Sequence, residues 1–180
     1  MILVDIYKFY LCSTPRYLLS QFLLPTENTP GMNLDTYAYT ISRDHLIYTF
    51  DSFGPNGKIA KIVQYDLRNA DGFVYFNLGF GDLNPVTGKI NDRAVSNNFD
   101  KEKVLATVAA TVLEFTRKFP AALVYVRGST PSRTRLYQIG ISANFEEIAA
   151  LLYVYGFVPG VGWQPYKKNN NYFAFLARRK

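Results

Sequence analysis

The chain has 180 residues, 48% of them apolar and 19% charged, the proportions of a folded globular protein rather than a disordered one. A single cysteine (Cys12) and a single histidine (His45) exclude an internal disulfide and a cysteine–histidine metal cluster, and favour a reducing, cytoplasmic setting. Net charge is +6, and the whole excess sits in residues 127–180, where eight Lys/Arg face Glu146 and Glu147. That asymmetry favours an anionic partner.

The length fits one domain able to bury a core without staples. The 14 Tyr and 14 Phe, many in alternating runs, favour a sheet-rich fold. Residues 1–31 do not match the rest of the chain. Asp5 and Lys8 interrupt the apolar start, no cleavage site follows, and Pro25, Pro30 and Gly31 break the chain before Met32. They read as an N-terminal extension or a mistaken start, with a working domain over residues 32–180; a short docked element is the alternative. No stretch reaches the roughly 18 uncharged apolar residues of a membrane span.

From Tyr37 the pattern becomes regular. Tyr37–Ile41 and His45–Phe53 alternate aromatic and polar residues, Gly54–Gly57 is a turn, and Lys58–Leu67 returns as a strand with Lys61 the exception on its apolar face. Asn69–Gly72 turns into Phe73–Phe80; Gly79, Gly81, Pro85 and Gly88 mark a longer loop, and Lys89–Val95 is a further short strand. Connections this short make an antiparallel meander of about four strands.

Asn97–Asp100 offers helix caps, and Val104, Val108, Val112, Phe115 and Phe119 recur at helical spacing until Pro120. Arg117 and Lys118 suit the end of that helix. Ala121–Val126 is a continuous apolar run, the mark of a strand covered on both faces. A second helix is predicted over Pro131 to Ile141, with Asn144–Glu147 as its exit. Ile148–Val158 fits helix or strand, and its aromatic and β-branched content favours strand. Pro159–Gly162 turns, Lys167–Asn171 is a polar tip, and Tyr172–Ala177 is the last strand. The fold class is therefore α+β: a largely antiparallel sheet with two main helices and a closing pair of strands.

Two stretches carry candidate binding chemistry. Gly128, Ser129, Thr130 and Pro131 join a buried strand to a helix, with Arg133 and Arg135 in its first turns. Helix-start amides, the helix dipole and two guanidinium groups together suit a phosphate or carboxylate. The spacing is not that of a phosphate loop. Trp163, Tyr166, Lys167, Lys168 and Tyr172 mix aromatic and basic residues, a composition that stacks on bases and tracks phosphates, although such rings more often close a core. Asp82, Asp92, Asp100, Asn97 and Asn98 lie at loops, where turn and cap roles are the rule, so no metal site is assigned. His45 and Cys12 lack the partners of a triad or a cysteine nucleophile, so no catalytic residue is assigned either.

Four segments resemble a family of short bacterial proteins of unknown function: Phe76-Asn-Leu-Gly-Phe-Gly-Asp82; Asn97-Asn98 with Val104–Ala109; Gly128-Ser-Thr-Pro-Ser-Arg-Thr-Arg-Leu-Tyr137; and Tyr172–Lys180. The resemblance covers residues 32–180, and members of that family begin near the position of Met32. It implies no activity. A looser likeness, in the order of strands, helix, buried strand, helix and closing hairpin, is to the Gcn5-related acetyltransferases. Those enzymes hold the coenzyme A pyrophosphate on a glycine-bearing turn before the first of these helices. The corresponding stretch here, Val95–Lys103, has no glycine, so no cofactor is expected. The leading expectation is a non-enzymatic binding or regulatory module, of toxin–antitoxin or defence type, meeting nucleic acid or another anionic partner. An acyltransferase-like enzyme and a partner of another protein, with no small ligand, are the alternatives.

Overall fold

The computed structural model describes residues 35–70, 72–91 and 96–180. The readings on residues 1–31, on Cys12, Asp71 and Asp92, and on the second half of the Lys89–Val95 strand lie outside the described residues. The described chain is a mixed α/β fold with an open, mostly antiparallel sheet of nine strands and three helices, in keeping with the α+β expectation.

The meander forms as its turn residues dictate. β1 (Tyr39–Ile41), β2 (Ile47–Gly54), β3 (Gly57–Ala70) and β4 (Phe73–Leu83) pair antiparallel in sequence order. Gly57 has φ 79° in the β2–β3 turn, a left-handed conformation that glycine adopts without steric cost. β4 runs on through Gly79 and Gly81, where the sequence pattern predicts a loop. A side chain at Gly81 would strike the backbone of Asn91, so these glycines admit the short strand β5 (Ile90–Asn91) against β4. Of the Lys89–Val95 strand, Ile90–Asn91 is the part that the described residues show.

α1 (Lys101–Lys118) lies across the meander with Val104, Val108 and Phe115 buried against Tyr48, Val63, Tyr65 and Leu78. The Phe115 ring stacks on Tyr65 at 3.9 Å between centroids and 2° between planes. The Tyr65 hydroxyl meets Thr111 Oγ1 at 3.0 Å, and burial pushes its pKa well up. β6 (Val124–Val126) then returns parallel to β4, as a crossover through a helix requires. α2 (Pro131–Ala143) comes next.

The closing part differs from expectation in two ways. The stretch Ile148–Val158 splits: α3 (Phe145–Leu151) takes its start and β7 (Leu152–Val158) the rest. Glu146 and Glu147 suit a helix first turn and Ala149–Ala150 its interior, whereas Tyr153 to Val158 is aromatic and β-branched. In place of a closing pair there are three strands, β7, β8 (Gly162–Pro165) and β9 (Ala174–Arg179). β9 inserts between β6 and β7, giving the order β1-β2-β3-β4-β6-β9-β7-β8.

The helices share one face of this sheet. An apolar cavity of about 80 Å³ lies between them and the strands, bordered by Leu105, Val108, Tyr137, Ile141, Val154 and Phe175. The other face carries a second core of Phe73, Leu123, Phe157, Trp163, Ala174 and Leu176, to which no helix residue contributes.

Candidate functional site

The strand-to-helix corner is built as its sequence requires. Thr130 sits in extended backbone and its Oγ1 accepts the N–H of Arg133 at 3.3 Å, capping α2, with Pro131 at the first helical positions. Thr134 turns back: its N–H and its hydroxyl both donate to the Thr130 carbonyl, and its Oγ1 accepts the N–H of Gly128 at 3.1 Å. A Cβ on Gly128 would lie 2.4 Å from the Thr134 nitrogen, so the turn can press onto the helix only as glycine. The helix-start amides expected to meet an anion are thus partly consumed: Pro131 has none, and those of Arg133 and Thr134 are bonded internally. The corner therefore offers a ligand chiefly charge, through Arg133, Arg135 and the exposed Ser129.

The two sequence candidates prove to be neighbours. Arg135 Nη1 reaches Asn171 Oδ1 at 3.5 Å, and Gln138 Nε2 donates to the Asn170 carbonyl. The Tyr166 hydroxyl meets Ser142 Oγ at 2.5 Å. These bonds tie α2 to the tip that carries Lys167 and Lys168, both exposed. Tyr172 fixes the tip, its hydroxyl accepting the N–H of Lys167 at 2.9 Å while its ring covers Gly156. Lys168 reaches Glu146 at 3.6 Å, with its ammonium 5.9 Å from the Phe145 ring centroid.

Trp163, Tyr166 and Tyr172 take the commoner use of such rings and close a core. They are 8%, 5% and 7% exposed and belong to the core, with Tyr166 and Tyr172 packed on Phe175. Burial raises the Tyr166 pKa, an effect its bond to Ser142 offsets in part. Of that set, only the lysines face solvent.

A model of a family of unknown function (DUF6934) matches residues 33–180. The chain belongs to that family. The corner, the tip and the sheet that carries them all fall within the matched residues. No curated protein and no solved structure matches the chain. No helix among the described residues is long and apolar enough to cross a membrane.

Within this family domain, one polar cluster stayed hidden in the sequence. Lys61, which interrupts an apolar face, is 4% exposed and ion-pairs with Asp82 from the neighbouring strand. Its Nζ also donates to Ser96 Oγ at 2.6 Å. Beside it, Asp100 leaves its own helix uncapped and accepts from Ser52 Oγ at 2.5 Å and from the Tyr37 hydroxyl at 2.9 Å. Asn98 donates to Ser52 Oγ and to the Gly57 carbonyl, and accepts the N–H of Asn56. The cluster locks the β2–β3 turn onto the start of α1. In the sequence, Lys61 stood out as misplaced polarity and Asp82, Asn98 and Asp100 read as turn and cap residues; their meeting was not legible.

Proposed function

We propose that this chain is a non-enzymatic binding module that meets an anionic partner, nucleic acid before others, through the corner of α2 and the adjoining tip. The observation that carries this reading is the convergence of Arg133, Arg135, Lys167 and Lys168 from two segments joined by the Arg135–Asn171 and Gln138–Asn170 bonds. Guanidinium and ammonium groups grouped in this way neutralise phosphates without reading sequence. A regulatory role in a toxin–antitoxin or defence system, in the cytoplasm, belongs to the same reading.

The sheet order favours one second reading. Parallel β4 and β6 inside an otherwise antiparallel sheet, followed by α2 and a closing β-unit, accord with the likeness to Gcn5-related acetyltransferases. An acyltransferase would need an anion site at the start of α1. There Asp100 and Glu102 place negative charge where a pyrophosphate would sit, and no glycine opens the backbone. A native mass spectrum of the protein as purified from its host separates the readings. A nucleic-acid adduct supports the proposal, a coenzyme A adduct favours the enzyme, and a stable second chain favours a protein-interaction role.

A further inference from the structure

Resting on the reading of the chain as a nucleic-acid-binding module, we infer that the helix-free face of the sheet is a base-stacking platform for a single-stranded nucleic acid. Side chains alternate along each strand, so those opposite the helix-facing Leu78, Val126, Phe175 and Val154 point to this face. They include Tyr75 of β4, Tyr125 of β6, and Tyr153 and Tyr155 of β7. The register places Tyr125 across from Leu176 of β9, and Leu176 across from Tyr155. Tyr125 and Tyr155 therefore stand two strand spacings apart, on the order of 10 Å, on either side of the buried Leu176, and with Tyr75 they form the partly exposed cover of the second core. Tyr75 adjoins Tyr125 at 5.5 Å between centroids. Tyr75, Tyr125 and Tyr155 are half-buried and Tyr153 is exposed, so each keeps part of its ring toward solvent.

Cations lie on two rings of this face, Phe173 and Tyr153. The Arg127 guanidinium sits 3.8 Å from the Phe173 ring centroid, and Arg178 and Lys180 lie 5.1 and 5.5 Å from that of Tyr153. Arg68 stands across from Tyr75 and pairs with Asp66 at 3.5 Å. A face of rings carrying positive charge is complementary to a strand that presents bases and phosphates together. A duplex hides its base faces in its own stack, whereas a single strand exposes them. Arg127 immediately precedes Gly128, so the platform and the arginine corner share an edge. One strand can lay bases on the sheet and phosphates on the corner.

The test is equilibrium binding, by fluorescence anisotropy at low salt, of a labelled oligothymidylate of about 12 nucleotides and of a duplex of equal length. The wild-type chain is expected to prefer the single strand. Tyr75→Leu/Tyr155→Leu keeps the bulk of both side chains and removes their π-faces. It should weaken single-strand binding by about tenfold or more, leaving duplex affinity and salt slope unchanged. Tyr75→Phe/Tyr155→Phe should bind as wild type, and Tyr153→Leu, at the exposed ring of the same face, should by itself weaken single-strand binding and keeps the test valid should the double leucine variant fail to fold. Arg133→Gln/Arg135→Gln should weaken both substrates alike. No single-strand preference, or equal loss on both substrates in the leucine variant, overturns the platform and leaves the arginine corner standing. Loss in the tyrosine variant with none in the arginine variant does the reverse. A stable complex with another protein and no oligonucleotide binding removes both.

Discussion

Lys61 and Asp82 show how a single buried pair constrains this fold. The Lys61 side chain is 5% exposed and that of Asp82 20%, so replacing one partner strands the other where water reaches it poorly. Asp82→Asn should cost about 3 kcal/mol in urea unfolding, and Lys61→Met/Asp82→Leu should recover most of it. An equal loss in both variants would mean that the pair contributes more than the repair of its own desolvation. Gly128 is a second such position. Gly128→Ala must push the turn off Thr134 and should destabilise by about 2 kcal/mol, whereas Thr130→Ala removes only a cap and should cost about 1 kcal/mol. Residue identities at the corner were legible in the sequence because glycine, threonine and proline each have one ready use there. The Lys61 cluster was not, because its members come from β2, β3, β4 and the segment before α1, and only the register brings them together.

At the scale of elements, α1 holds the meander through Phe115, fully buried and stacked on Tyr65. Phe115→Ala should cost about 4 kcal/mol, read as a shift of the denaturation midpoint. Near the end of that helix, the Arg117 hydrogen bond holds the Glu114 carboxyl below its usual 4.5, outweighing the upward pull of partial burial. A pKa depressed on folding gives stability that is present above the unfolded value and lost as pH falls through the folded one. Glu114→Gln should therefore lower the melting temperature at neutral pH and flatten the acid limb of a profile taken from about pH 6 to about pH 3, the two chains converging at the acid end. Both helices with clear periodicity and every strand of the meander could be read from the chain. α3 could not, since its seven residues give too short a period and run directly into β7. The place of β9 was equally hidden: a last strand that pairs with β6 and β7 is a long-range choice that local pattern does not record.

At the scale of the molecule, the helices cover one side of the sheet and leave the other to aromatic and basic residues, while the charge excess gathers in the last third of the sequence. With β6, β9 and β7 side by side, Arg127 and the α2 corner lie at one end of these strands and Arg178 beside Tyr153 at the other. The aromatic count announced a sheet, and core closure was the commoner use expected of the rings at Trp163, Tyr166 and Tyr172. Trp163, Tyr166 and Tyr172 went inward, and Tyr75, Tyr125, Tyr153 and Tyr155 keep part of their surface exposed.

The central claim is that Arg133 and Arg135 contact phosphates. Its most direct test is the salt dependence of single-strand binding for the wild-type chain and for Arg133→Gln/Arg135→Gln. Removing one phosphate contact should reduce the slope of log affinity against log salt by about 0.7, so the double variant should be flatter by about 1.4. A variant that binds with the wild-type slope would show that these arginines touch no phosphate, and would contradict the account.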